Sequence, residues 1–245
     1  MQFKKYIPNT ITPCNLFCGV VATIFAYNDY YYHAAAFFLL GITFDFFDGF
    51  AARMLHVKSD IGKELDSLAD CITSGLLPSM VMFSMMRSAL SPSLGTDWVA
   101  DWMPVSMTDI VSASAFLIVL FSALRLAKFN LDTRQTDSFI GLPTPACGLI
   151  VVFLPFLREL PYLNDALTNY WVLLVVTVIC SLLLVSEIHL FALKFKSFGW
   201  KGNARRWALI LISAVLILTL GLKAFPLIIV IYLVMSLIRV DQAGV

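Results

Sequence analysis

The chain has 245 residues, of which 60% are hydrophobic and 13% charged, and its formal charge is +1. Soluble domains run at roughly half apolar and a quarter charged, so a soluble globular protein is excluded and a membrane-embedded one indicated. A near-neutral charge offers no footing for nucleic acid, and backbone groups in lipid must be satisfied internally, so an all-α polytopic fold is expected.

Eight membrane-crossing helices are predicted. The first covers about residues 12–27, and no small-residue cleavage site follows it, so it is expected to be retained. Asn15 and Gly19 lie four apart on it and share a face. That face suits either close helix packing or a polar contact with a ligand. The aromatic run from Tyr27 to His33 reads as an interfacial turn before a second helix over about 33–55. A third helix covers about 63–86, where Gly75 and Pro78 suggest a kink or a close contact. Trp98 and Trp102, in a polar connection, are expected at the membrane boundary. Further helices are expected over about 109–129, up to 157 from an opening near Phe139, 170–186, 207–222 and 225–238. The five cysteines, Cys14, Cys18, Cys71, Cys147 and Cys180, sit in or beside apolar segments and read as packed small hydrophobes without disulfides.

Charge distribution sets the orientation. With the N-terminus in the cytoplasm, inner segments hold Lys4, Lys5, Arg53, Lys58, Lys63, Arg125, Lys128, Arg134, Lys194, Lys196, Lys201, Arg205, Arg206 and Arg239. Outer segments hold Arg87, Arg158 and Lys223. Fourteen against three is a strong positive-inside bias.

Four acids stand inside this apolar sequence: Asp45, Asp48, Asp66 and Asp70. The first two are three apart and the last two four apart, so each pair shares a helix face. Intramembrane charges need a compensating partner, and only Arg53 is near in sequence. Acids converging from two helices suit hard divalent cations, which take oxygen ligands.

The stretch reads D-x2-D-G-x2-A-R-x8-G-x3-D-x3-D, filled by Asp45, Asp48, Gly49, Ala52, Arg53, Gly62, Asp66 and Asp70. It resembles the signature of the CDP-alcohol phosphatidyltransferases. The flank from Lys63 to Asp70, the stretch Arg125-Leu-Ala-Lys128-Phe-Asn130 and the stretch Gly141-Leu-Pro143-Thr144-Pro145-Ala146 are similar to the serine-using branch of that family. The resemblance implies a six-helix core over residues 1–190. Residues 191–245 then form a basic loop and two added helices. It implies transfer of a phosphatidyl group from CDP-diacylglycerol to L-serine, with loss of CMP, by a homodimer in the inner membrane whose active site faces the cytoplasm. It also implies two divalent ions, Mg²⁺ or Mn²⁺, held by the acidic cluster Asp45, Asp48, Asp66 and Asp70. The first three act mainly as ligands, and Asp70 also serves as the base on the acceptor hydroxyl. Asn15, Gly49, Ala52 and Arg53 are expected to bind the CDP group. Arg125, Lys128, Asn130 and Thr144, with the backbone near Gly141 and Pro143, are the candidates for serine. Lys58, Lys63 and Arg134 are placed to attract the anionic donor. Three rivals stand beside this reading: a sister enzyme using another alcohol; a membrane prenyltransferase, whose Asp-rich helices bind Mg-pyrophosphate but do not call for the Gly49, Ala52 and Arg53 set; and a cation transporter, which also employs intramembrane acids.

Overall fold

The structure is a computed structural model. It describes residues 6–57, 60–91, 106–131, 138–191, 199 and 203–237. Lys58, Arg134, Trp98, Trp102 and the basic residues Lys4, Lys5, Lys194, Lys196, Lys201 and Arg239 lie outside the described residues. Helices α1 (Tyr6–Tyr27) and α2 (Tyr31–Met54) form a hairpin. Helix α3 (Asp60–Asp70) runs through a π-helical turn (Cys71–Leu76) into α4 (Leu77–Leu90). Then follow α5 (Met107–Ser112), a 3₁₀ turn (Ala113–Phe116), α6 (Leu117–Leu131), α7 (Thr144–Val152) and a 3₁₀ stretch (Leu154–Glu159). After these come α8 (Asn164–Leu167), α9 (Tyr170–Val185), α10 (Ala204–Leu220) and α11 (Ala224–Leu237). Five described segments are long and apolar enough to cross a membrane: Pro8–Tyr27, Tyr31–Met54, Asp60–Leu90, Met107–Leu131 and Ala204–Leu237. The last folds back on itself at Gly221, which has φ +58°. Its two arms, α10 and α11, line one cavity together.

One expectation changes here. The fifth predicted crossing is not one helix. Pro155 lacks the N–H that would continue the ladder, and the α-helix gives way after Val152 to the 3₁₀ stretch. The all-α architecture holds, with one short ribbon added to it. Strands β1 (Ser138–Ile140) and β2 (His189–Phe191) pair antiparallel, with Phe139 opposite Leu190. Gly141, at φ +74°, closes this ribbon against the end of α9: its N–H reaches the Ile188 carbonyl at 2.9 Å. A Cβ there would sit 2.8 Å from the carbonyl oxygens of Leu184 and Ser186. The N–H of Gly141 is therefore committed to the fold.

The bundle core holds Phe38, Met82, Met85, Met86, Phe153, Leu173 and Leu184, while Phe17, Ile24, Leu120, Val175 and Leu218 are exposed on outer faces. That exposure suits helices whose surroundings are lipid. Where the surroundings are as apolar as the core, helix association depends on close van der Waals packing at small residues. Gly19 and Gly41 supply it: a Cβ on Gly19 would lie 2.9 Å from the Thr73 Cα, and one on Gly41 would lie 2.9 Å from the Thr73 methyl. This three-helix contact of α1, α2 and the π-turn brings Asp45 and Asp48 of α2 alongside Asp66 and Asp70 of α3.

Candidate active site

The motif acids meet at the end of the bundle where α2 finishes and α3 begins. One carboxylate oxygen from each of Asp45, Asp48 and Asp66 lies within 4.8 Å of the others. Asp45 and Asp66 approach within hydrogen-bond reach of each other. Carboxylates that close need a shared proton or a cation between them. Asp48 is buried and accepts a 2.6 Å hydrogen bond from the Thr12 hydroxyl of α1. Among the described residues no lysine or arginine forms an ion pair with any of the four acids. A set of hard oxygen donors with its charge uncompensated fits a divalent cation.

Asp70 stands apart from this trio, at the last residue of α3 before the π-turn. π-Turns are rare and gather at functional sites. Here the turn carries the expected irregularity: Gly75 lies against Ser122, where a Cβ would come within 3.1 Å, and Pro78 opens the next helix. Asp70 interacts with Arg125 of α6 and Asn15 of α1. Arg125 is only 8% exposed; its Nη1 donates to the Thr144 hydroxyl at 2.6 Å, and its Nε has no partner. Its guanidinium also lies 5.4 Å from the Phe129 ring centroid. A buried guanidinium with one N–H unpaired keeps hydrogen-bonding capacity for an anion.

The predicted site residues divide. Gly49 and Ala52 line a cavity of about 360 Å³ together with Thr12, Asp48, Lys63 and Asp66. Space is open in front of Gly49, with Arg53 Nη1 3.8 Å from where a Cβ would be. Arg53 itself is exposed at the rim. Asn15 does not line this cavity. It is fully buried between α1 and the π-turn, with its side-chain amide beside Asp70. Arg125 and Thr144 come together as a pair. Lys128 is exposed one turn on, and Asn130 is engaged elsewhere, with its Nδ2 donating to Ser67 at 2.8 Å and its carbonyl accepting from Lys63 at 2.7 Å. Helical spacing put Lys128 on Arg125's side, but three residues also turn a side chain by about 60° relative to its neighbour, enough to leave the buried face. Thr12 was missing from the predicted site. It stands with Pro8, Asn9, Asn15 and Gly19 among first-helix residues similar to the family's, but its partner is 36 residues away, so spacing could not assign it to the site.

The sequence is similar to those of known proteins. The profile of the CDP-alcohol phosphatidyltransferase family matches residues 5–183. A Bacillus subtilis protein named CDP-diacylglycerol–serine O-phosphatidyltransferase is 38% identical over 152 residues, 62% of this chain and 76% of the relative. A Helicobacter pylori protein of the same name is 29% identical over 234 residues, 95% of this chain and 90% of the relative. One from Methanocaldococcus jannaschii is 26% identical over 182 residues, 74% and 72% respectively. The chain belongs to the CDP-alcohol phosphatidyltransferase family.

Proposed function

We propose that this chain transfers the phosphatidyl group of CDP-diacylglycerol to the hydroxyl of L-serine, forming phosphatidylserine and releasing CMP. The observation that carries the reading is the convergence of uncompensated acids from two membrane helices beside a cavity with a bare glycine wall. Names shared by relatives in several species favour serine as the acceptor.

Asp45, Asp48 and Asp66 are the residues to hold two divalent ions, Mg²⁺ or Mn²⁺, with Asp70 at the edge of the cluster. Such ions supply charge neutralisation to a pyrophosphate and its leaving phosphate. Thr12 holds Asp48 in its ligating orientation, as outer partners of metal ligands commonly do. Gly49 and Ala52 keep the cavity wall thin for the nucleotide, while Lys63 and Arg53 present cations to phosphate oxygens. Arg125, fixed by Thr144, takes the serine carboxylate through its open Nε–H. Asp70, between Arg125 and the trio, receives the serine hydroxyl proton. The serine oxygen bonds to the lipid-side phosphorus, the bond from that phosphorus to the bridging oxygen breaks, and CMP departs with the electron pair.

The positive-inside charge pattern favours an inner-membrane location with this end facing the cytoplasm. We take residues 1–190 as the catalytic core and a homodimer as the assembly, the latter on family resemblance alone. The test is CMP release by purified protein given CDP-diacylglycerol and a panel of alcohols, with and without EDTA. Serine-dependent release abolished by EDTA is expected. Release with glycerol 3-phosphate and none with serine would make the chain a sister enzyme.

A further inference from the structure

Asn130 closes a hydrogen-bonded triangle between α6 and α3. Its Nδ2 donates to the Ser67 hydroxyl at 2.8 Å, and that hydroxyl donates to the Lys63 carbonyl at 3.1 Å. The Lys63 ammonium in turn donates to the Asn130 carbonyl at 2.7 Å. Asn130 is the last residue but one of α6. Its carbonyl is therefore among those that a helix end leaves without an intrahelical partner. A lysine ammonium there answers both the bare carbonyl and the negative end of the helix dipole.

Lys63 has a nearer use for its charge. It lies three residues before Asp66 on α3, and the two line the same cavity with Asp48 and Gly49. Opposite charges three apart on a helix are neighbours and can pair. Among the described residues, however, Lys63 forms no ion pair with Asp66 or with any other acid of the cluster. Its ammonium is held instead on the end of α6, at the cavity wall. An ammonium has three N–H donors, so this one bond leaves capacity for an anion. A Lys63 swung onto Asp66 would neutralise the cluster with the chain's own charge and occupy oxygens that suit a divalent cation. Held by α6, it keeps that charge for a phosphate, which lysine binds as a point charge.

We propose that Asn130 is a positioning residue for the donor side of the site: through Ser67 and its own carbonyl it fixes Lys63 at the cavity wall, where the ammonium meets a phosphate of CDP-diacylglycerol. This rests on the phosphatidyl-transfer reading. It places Asn130 with the donor and not among the serine contacts, although Asn130 and Arg125 share the last turns of one helix.

Equilibrium binding of radiolabelled CDP-diacylglycerol to the purified protein, with Mg²⁺ and no acceptor, reads the donor side without turnover. Lys63→Ala is expected to raise the Kd roughly tenfold or more, through loss of one charge-assisted hydrogen bond. Asn130→Ala and Ser67→Ala each break the bond between their side chains and are expected to raise it about three- to tenfold. In the Lys63→Ala background neither should add more than about twofold, because both act through the ammonium. The KM for serine should stay within about twofold in Asn130→Ala, whose change leaves the contact of Arg125 with Thr144 in place. An unchanged donor Kd in Asn130→Ala, or a rise in the serine KM instead, would overturn the proposal. A full additional loss in the Lys63→Ala background would show a general loosening of α3 against α6 and would overturn it too. The acceptor reading is tested separately by turnover: unmodified protein that binds the donor yet releases CMP with glycerol 3-phosphate and not with serine would sink serine as the acceptor, while the donor Kd values still decide the role of Asn130.

Discussion

The two ends of the bundle treat their charges in opposite ways. At the end formed by the α1–α2 turn, Asp29 pairs with Arg87 at 3.8 Å and accepts hydrogen bonds from the hydroxyls of Tyr31, at 2.8 Å, and Ser84. Glu159 there pairs with Lys223 at 2.7 Å and accepts from Tyr32 at 3.0 Å. Every one of these acids is answered by the chain's own cations and hydroxyls. At the other end, Asp45, Asp48, Asp66 and Asp70 form no ion pair among the described residues. Arg125 faces Asp70 alone; an uncompensated charge within membrane helices costs several kcal/mol, and Asp45, Asp48 and Asp66 are kept together where a ligand supplies the missing charge. Closed pairing marks the first end as structural, and open acids mark the second as a site.

The largest effect expected from this contrast is at the open end. Asp45→Ala, Asp48→Ala or Asp66→Ala should each lower the rate of CMP release by at least about 10³-fold, the equivalent of several kcal/mol of charge stabilisation. The purified variants should elute as the unmodified protein does. A folded variant with near-normal turnover would show that the open acids are not the reaction centre.

Arg125→Ala comes next and sharpens the division of labour within that end. Loss of a charge-assisted bond of about 1.5–3 kcal/mol should raise the KM for serine by roughly 10–100-fold, leaving that for CDP-diacylglycerol much less affected. Equal rises for both substrates would make Arg125 a phosphate ligand. Thr12→Val should have a smaller effect. It removes the bond that orients Asp48 and should weaken apparent metal affinity by roughly 10-fold or more, read as a higher metal concentration for half-maximal activity. Unchanged metal dependence would mean that Asp48 is oriented without it.

Much of this was legible in the sequence. Eight motif residues at fixed spacing announced the acidic site, because 3- and 4-residue spacings set helix faces without knowledge of the fold. Gly75 and Pro78 announced an irregular turn, which the structure realises as the π-turn after Asp70. What was not legible depends on tertiary contact. The Thr12–Asp48 bond joins separate helices. Asn15 lies beside Asp70 and outside the cavity at Gly49 and Ala52, where Gly19 and Gly41 admit the close approach of α1 and α2 to Thr73. The ribbon of β1 and β2 pairs segments about 50 residues apart, each too short to show a period. The open cleft between α7 and the C-terminal hairpin also depends on tertiary contact, and apolar residues facing a cleft look the same in sequence as those facing lipid.

The smallest effect belongs to the closed end. Glu159→Gln and Arg87→Ala should leave both KM values and the rate within about twofold, since partly exposed pairs contribute roughly 0–1 kcal/mol. A drop approaching that of Asp45→Ala would erase the distinction between the two ends.

The central claim is that the three clustered carboxylates hold a divalent cation. Titrating Mn²⁺ into purified protein and following free Mn²⁺ by electron paramagnetic resonance tests it without any substrate. The unmodified protein should take up Mn²⁺ saturably. Asp45→Ala and Asp66→Ala should lose that uptake, and Asp70→Asn should keep most of it. Undiminished Mn²⁺ uptake by Asp66→Ala would contradict the account.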